Sequence, residues 1–308
     1  MGWVAISSLA PLVFEYFIIA REEAKKLLLW GSFSFAGHFL ATILPFLWGQ
    51  DFSGVLYAHL GLNLLRLLFM IIQLPFPNFK WNSIPLGREA FLLSLYTIIG
   101  GIPIAFDTWL IGYYTSSVEE VAVFRFGARE LPLIIILLGG LHLGMLSDLS
   151  AQETAVQKLK QQVLKAMHIL GPLAVLLIFI SPYLFELIFT SAFRQSSVYF
   201  NIYLFLLMSR WIMSQTLVMA KGGYSYLLKI GVVELVLNIG LSFLFIDQFG
   251  PSGVVWATII AFLFEKVALS IWLFRRFGIS ISSYLPVNWY LLYTSLMILS
   301  FLIPSLWA

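Results

Sequence analysis

Five basic side chains stand inside long apolar runs of this 308-residue sequence: Arg66, Arg125, Arg129, Arg210 and Lys266. A cation at the bilayer centre costs about 2.5–3.5 kcal/mol on insertion scales, so five facing lipid would cost on the order of 10 kcal/mol. They are therefore expected to face one another or a wet cavity. Arg125 and Arg129 are the most telling pair. On a continuous helix they share one face, about 9 and 15 Å beyond Glu119, which puts the second near the middle of a core about 30 Å thick. Neither has an acid three or four residues away, so an anion must approach from elsewhere. Two sources stand open: an acid of another span, such as Asp107 or Glu234, or a phosphate or pyrophosphate. The planar guanidinium fork suits the latter because it binds two oxygens at once.

Other polar residues share faces. His59, Asn63 and Arg66 form one stripe on an otherwise apolar helix, either as packing glue between helices or as cavity lining. Arg210 and Ser214 fall together, as do Glu234 and Asn238. Glu265 and Lys266 are adjacent, so they diverge by about 100° and are not expected to share a face; Lys266 has a stem long enough to snorkel. Asp107 closes a span after Gly100-Gly101-Ile102-Pro103, which predicts a kinked helix of the kind that borders transport cavities. Signs of enzymatic chemistry are weak. His38, His59, His142 and His168 are scattered, no Cys is present, and no Gly-rich phosphate loop carries a Lys. No catalytic residue, metal site or cofactor is assigned.

These residues are positioned by membrane-spanning helices. The chain is 60% hydrophobic and 11% charged, with a mean hydropathy of +0.93. Soluble domains carry about 25% charged residues, so a soluble enzyme, a nucleic-acid module and a disordered tail are excluded. A span takes about 20 apolar residues, and ten segments qualify: 2–20, 27–48, 52–74, 90–111, 119–146, 168–189, 197–219, 227–246, 253–274 and 288–306. The runs are continuous, which disfavours a β-barrel. Of the 18 Lys and Arg, twelve fall in alternate loops, taken as cytoplasmic, and Arg194 alone in the opposite set. That bias fixes the register and predicts an outside N-terminus. The polar stretch 148–167 repeats apolar residues at helical spacing and reads as an interfacial helix or an extension of span five. Ser116 and Ser117 stand three residues before Glu119 and Glu120, a capping spacing.

Three stretches carry a resemblance: 107–132, DTWLIGYYTSSVEEVAVFRFGARELP; 180–204, ISPYLFELIFTSAFRQSSVYFNIYL; and 220–267, from AKGGYSYLLKIGVVELVLNIGLSFLF through GPSGVVWATIIAFLFEKV. Together they resemble the polysaccharide and lipid-linked oligosaccharide flippases (O-antigen translocase-like) of the multidrug/oligosaccharidyl-lipid/polysaccharide exporter superfamily. The likeness runs in order over about 85–275 through many loosely matched positions rather than one diagnostic motif.

The resemblance implies an all-α, polytopic carrier of the bacterial inner membrane that alternately opens to each side. It implies turnover of an undecaprenyl-diphosphate-linked oligosaccharide for cell-surface polysaccharide synthesis, coupling to H+ or Na+, and polysaccharide polymerases as partners. Arg125, Arg129, Arg66, Arg210 and Asn63 are then the candidates for the anionic diphosphate, and Asp107, Glu234 and His59 for ion coupling or gating. Measured against the family, 1–80 reads as a partial N-terminal lobe of three spans, 85–276 as a complete six-helix lobe and 277–308 as an extra span. Three helices of the family pattern would precede Met1. The competing readings are a multidrug exporter of the same fold, a membrane-embedded glycan polymerase or ligase, and a truncated chain that transports nothing. Deep Arg outnumbering deep acids favours an anionic cargo.

Overall fold

A computed structural model of the chain describes residues 24–73, 87–152 and 154–305. The first expected span, 2–20, lies outside them. Contacts divide the chain at 85/86 into two compact units.

The first unit contains α1 (Ala24–Leu47) and α2 (Phe52–Gln73), packed against each other. The turn between them is closed by Gly49 at φ +71°, a conformation that costs other residues but not glycine. Asp51 then caps α2, its Oδ1 accepting from the Ser53 N–H at 3.0 Å and the Gly54 N–H at 3.4 Å. The Ser53 hydroxyl also donates to it, and these bonds hold the Asp51 carboxyl below its usual range.

The second unit contains α3 (Arg88–Thr115), α4 (Val118–Gly127), α5 (Pro132–Ala151), α6 (Ala155–Ile188), α7 (Ser196–Tyr203), α8 (Leu206–Arg210), α9 (Ser214–Ala220), α10 (Tyr224–Phe249), α11 (Pro251–Phe277), α12 (Ile281–Tyr284) and α13 (Val287–Ser305). Among the described residues there is no strand, and eight segments are long and apolar enough to cross a membrane. Leu, Ile and Phe side chains stand exposed along them, a surface suited to acyl chains and not to water. The chain is a multi-pass, all-helical membrane protein. Each of the eight overlaps one of the ten expected spans; the tenth forms the shorter apolar helix Val287–Ile303.

Three expectations need correction. Span five is not one helix. It ends at Gly127 and restarts at Pro132, with Leu131 extended at φ −60°, ψ 132°. Proline has no N–H to continue a ladder and pushes its predecessor out of the α region. The stretch 148–167 is divided: 148–151 finish α5 and extend span five as expected, whereas 155–167 open α6 and extend span six, and Lys158 Nζ bonds Asp148 Oδ2 at 2.6 Å across the turn. Asp107 does not close its span, because α3 runs on for two turns until Ser116 adopts φ 52°. The cap at Ser117 is as expected, with its hydroxyl accepting from the Glu120 N–H at 3.2 Å.

Span seven is the most enclosed of the eight and is cut into α7, α8 and α9. Irregular backbone at membrane depth is tolerated where protein surrounds it, and tight turns satisfy its N–H groups: Trp211 to the Leu207 carbonyl at 3.0 Å and Ile212 to that of Ser209 at 3.1 Å. The last helix docks on α6. A Cβ at Gly171 would lie 2.5 Å from the Tyr293 ring, so glycine is what lets that ring lie against α6, and the Tyr293 hydroxyl bonds His168 Nδ1 at 2.8 Å.

Candidate functional site

The residues singled out in the sequence fall into three settings. In the first unit, the stripe His59–Asn63–Arg66 on α2 meets α1. Arg66 is buried, with Nη1 3.1 Å from His38 Nε2 and 3.5 Å from Asn63 Oδ1 and its guanidinium carbon 5.2 Å from the Trp30 ring centre. His59 bonds the Val55 carbonyl at 3.0 Å, and its ring lies 5.4 Å from that of His38. Of the two uses open for this stripe, these contacts fit helix–helix glue.

The second setting is a cavity of about 1050 Å³ inside the second unit. It is made by the two interruptions that sequence periodicity did not signal. The break before Pro132 places Arg129 and Glu130 at the cavity wall, and the broken span seven brings Arg210, Met213, Gln215 and Thr216 to it. Arg210 Nε donates to Glu130 Oε1 at 3.0 Å, its Nη2 bonds the same oxygen, and its guanidinium carbon stands 5.1 Å from the centre of the Phe262 ring. His142 Nδ1 bonds Thr216 Oγ1 at 2.6 Å. Phe126, Phe185, Phe189 and Phe200 supply an aromatic wall. The lining carries three cations, Arg129, Arg210 and Lys266, and the carboxylate of Glu130; Arg210 pairs with Glu130 and Lys266 with Glu265, which leaves Arg129 as the lining cation with no carboxylate partner among the described residues.

The expected shared face of Arg125 and Arg129 does not exist, because α4 ends between them. Arg125 is exposed and donates to Thr108 Oγ1 at 3.5 Å. Arg129 is exposed at the cavity, and among the described residues no carboxylate pairs with it or with Arg125. Neither Asp107 nor Glu234 serves as the anion for these arginines. Arg210 and Ser214 are likewise separated by the break at Trp211–Met213; Ser214 donates instead to the Lys266 carbonyl at 3.2 Å.

The third setting is the junction of α3, α10 and α11, which pack on one another. The buried face of α10 carries Glu234, Asn238 and Ser242, one turn apart. Asn238 Nδ2 donates to Thr258 Oγ1 at 3.0 Å, and that hydroxyl donates to Asp107 Oδ2 at 2.8 Å. One hydroxyl on α11 thus ties α3 to α10. Four oxygens on these residues are buried with no hydrogen-bond partner: Asp107 Oδ1, Glu234 Oε1, Asn238 Oδ1 and Ser242 Oγ. Buried acceptors without donors are costly, and a carboxylate at membrane depth more so. Among the described residues no three His, Asp or Glu side chains gather as a ligand set. Glu234 and Ser242 are about 12 Å apart along α10, so the four do not make one ligand set; Asp107 Oδ1 and Asn238 Oδ1, on the residues bonded to Thr258, are hard oxygens that suit a hard cation rather than a transition metal.

Glu265 and Lys266 overturn the expectation that they diverge. Lys266 Nζ bonds Glu265 Oε2 at 2.7 Å and Gln215 Oε1 at 2.9 Å, with both charged side chains buried. The four-carbon stem of lysine curls back to its neighbour because protein, not water, surrounds it. Among the described residues, the buried charges of the second unit are Asp107, Glu234, Glu265 and Lys266, so acids outnumber bases in that core, reversing the expected excess of deep arginines. At the cavity lining the cations outnumber the acid. Glu130 went unnoticed in the sequence, although Pro132 two residues on was the signal that its backbone leaves the helix.

In comparisons with family models, curated proteins and solved structures, nothing matches the chain.

Proposed function

We propose that this protein is a sodium-coupled carrier of the bacterial cytoplasmic membrane that moves an anionic lipid-linked oligosaccharide, a prenyl diphosphate with its glycan, from one leaflet to the other. One observation carries the choice of cargo: Arg129, with no carboxylate paired to it among the described residues, shares with Arg210 and Lys266 the lining of a cavity with an aromatic wall. Its volume lies at the upper end of the range of small-ligand sites, about 300–1000 Å³. Arg129 and Arg210 are the diphosphate ligands in this reading, and the phenylalanines receive apolar or sugar-ring faces. Arg66 and Asn63 hold the first unit together and are assigned no cargo contact.

The coupling ion is assigned to the Asp107–Thr258–Asn238 cluster, with Glu234 one turn below. A proton would relieve one carboxylate and supply one hydrogen bond. An alkali cation is held by several oxygens at once; Asp107 Oδ1 and Asn238 Oδ1, on the two residues bonded to Thr258, are the ligands assigned to it, with Glu234 adding negative charge one turn away.

The test is translocation in vesicles. The full chain is reconstituted into liposomes with a fluorescent undecaprenyl-diphosphate-linked sugar, and its accessibility to a membrane-impermeant quencher is followed under a sodium gradient. The wild type is expected to flip the lipid, and Arg129→Gln/Arg210→Gln to lose at least tenfold in rate with insertion intact. An inactive wild type, or a double variant at the wild-type rate, contradicts the reading.

A further inference from the structure

We infer that the Glu265–Lys266 pair is the element through which an anion in the cavity and a cation at the α3–α10–α11 junction sense each other, so that each tightens the binding of the other. This inference rests on the carrier reading above and adds to it the route of coupling.

The geometry is a short relay. Lys266 lines the cavity, and its ammonium is shared between Gln215 Oε1 and Glu265 Oε2 at 2.9 and 2.7 Å. The other oxygen of Glu265 accepts from the Tyr96 hydroxyl of α3. The Tyr96 ring lies on Gly231 of α10, where an added Cβ would come within 2.9 Å of it. Gly231 is one turn before Glu234, and Glu234 one turn before Asn238. Glu265 therefore stands close enough to Glu234 for their charges to interact, with the Lys266 ammonium on one of its oxygens and the Tyr96 phenol on the other.

The consequence follows from charge. A diphosphate in the cavity competes with Glu265 for the Lys266 ammonium, and a lysine head on a flexible stem can turn to it. Glu265 cannot leave: Tyr96 holds it and protein buries it. Drawing Lys266 away leaves a negative charge uncompensated in a low-dielectric surrounding, beside Glu234 and the Asp107 cluster. The potential there becomes more negative and a cation binds more tightly. Linkage makes the effect reciprocal: a bound cation must raise the affinity for the diphosphate by the same factor. Arg210 is hydrogen-bonded to Glu130, which lines the cavity itself.

The experiment measures one ratio. Binding of geranylgeranyl diphosphate to the purified full chain in nanodiscs is titrated in sodium chloride and in choline chloride at equal ionic strength, so that screening is constant. In the wild type, sodium is expected to lower the Kd at least about fivefold, the lower edge of ordinary allosteric coupling. Lys266→Arg, which keeps the cation, should retain the ratio. Glu265→Gln/Lys266→Met, which removes the pair without leaving a lone buried charge, should bind more weakly in both salts with a ratio near one. A double variant with the wild-type ratio overturns the inference, as does a wild type that binds the lipid equally in both salts. A wild type that binds no diphosphate in either salt instead contradicts the cargo reading. A purely structural role for the pair would lower both affinities and leave the ratio unchanged.

Discussion

Lys266 and Asp107 are buried to nearly the same degree, 3% and 5% exposed, yet their surroundings differ in kind. Lys266 has an amide and a carboxylate oxygen on its ammonium. Asp107 has one oxygen on the Thr258 hydroxyl and the other on nothing, next to an Asn238 carbonyl in the same condition. The first is a closed ion pair; the second is a set of acceptors short of donors. A buried polar group without a partner calls for an explanation, and a bound ion is one. The contrast separates a pair whose charges already satisfy each other from the cluster to which we assign the coupling ion.

The largest effect should come from opening the closed pair. Lys266→Met strands Glu265, and losing one partner of a buried pair costs about 3–5 kcal/mol, read as a lowered midpoint in thermal melts of the detergent-purified chain. Glu265→Gln/Lys266→Met should recover most of that loss. A single variant as stable as the wild type would mean that Glu265 is not confined as the geometry has it. Next is Thr258→Val, which strips the one hydroxyl tying Asp107 to Asn238. An unsatisfied buried group costs about 1–3 kcal/mol, and in sodium-free buffer the melt should drop accordingly. Arg210→Ala should cost about 1.5 kcal/mol, the low end for a hydrogen bond to a charged group, because a third of the Arg210 side chain is exposed. Ser117→Ala calibrates the scale outside both systems: loss of an N-cap costs about 1 kcal/mol, and the melt should respond to sodium as the wild type does.

Much of this was legible in the sequence. Apolar run length placed the eight spans, since about 20 residues are needed to cross a core wherever they occur. Periodicity put Glu234 and Asn238 on one face, and that face is the buried one. The breaks at 128–131 and 211–213 were not legible from run length. Hydropathy sees no difference between a helix and an interrupted one of the same composition. Pro132 marked the first break; at the second, no Gly or Pro occurs among Trp211–Met213, and tertiary enclosure takes the place of a local cue. The side-chain pairings were beyond spacing arguments. Glu265 and Lys266 meet because a flexible stem curls back, and Glu130 meets Arg210 because two breaks face the same cavity.

The most direct measurement is the thermal midpoint of the purified full chain, wild type against Asp107→Asn, in sodium chloride and in choline chloride at equal ionic strength. A site that binds only the folded state stabilises by about 2.7 kcal/mol when the ion is at a hundred times its Kd. The wild-type midpoint should therefore rise in sodium, and that of Asp107→Asn should not, while its baseline in choline is no lower than that of the wild type. Equal midpoints for the wild type in the two salts, or an equal sodium response in both proteins, would contradict an ion site at the α3–α10–α11 junction.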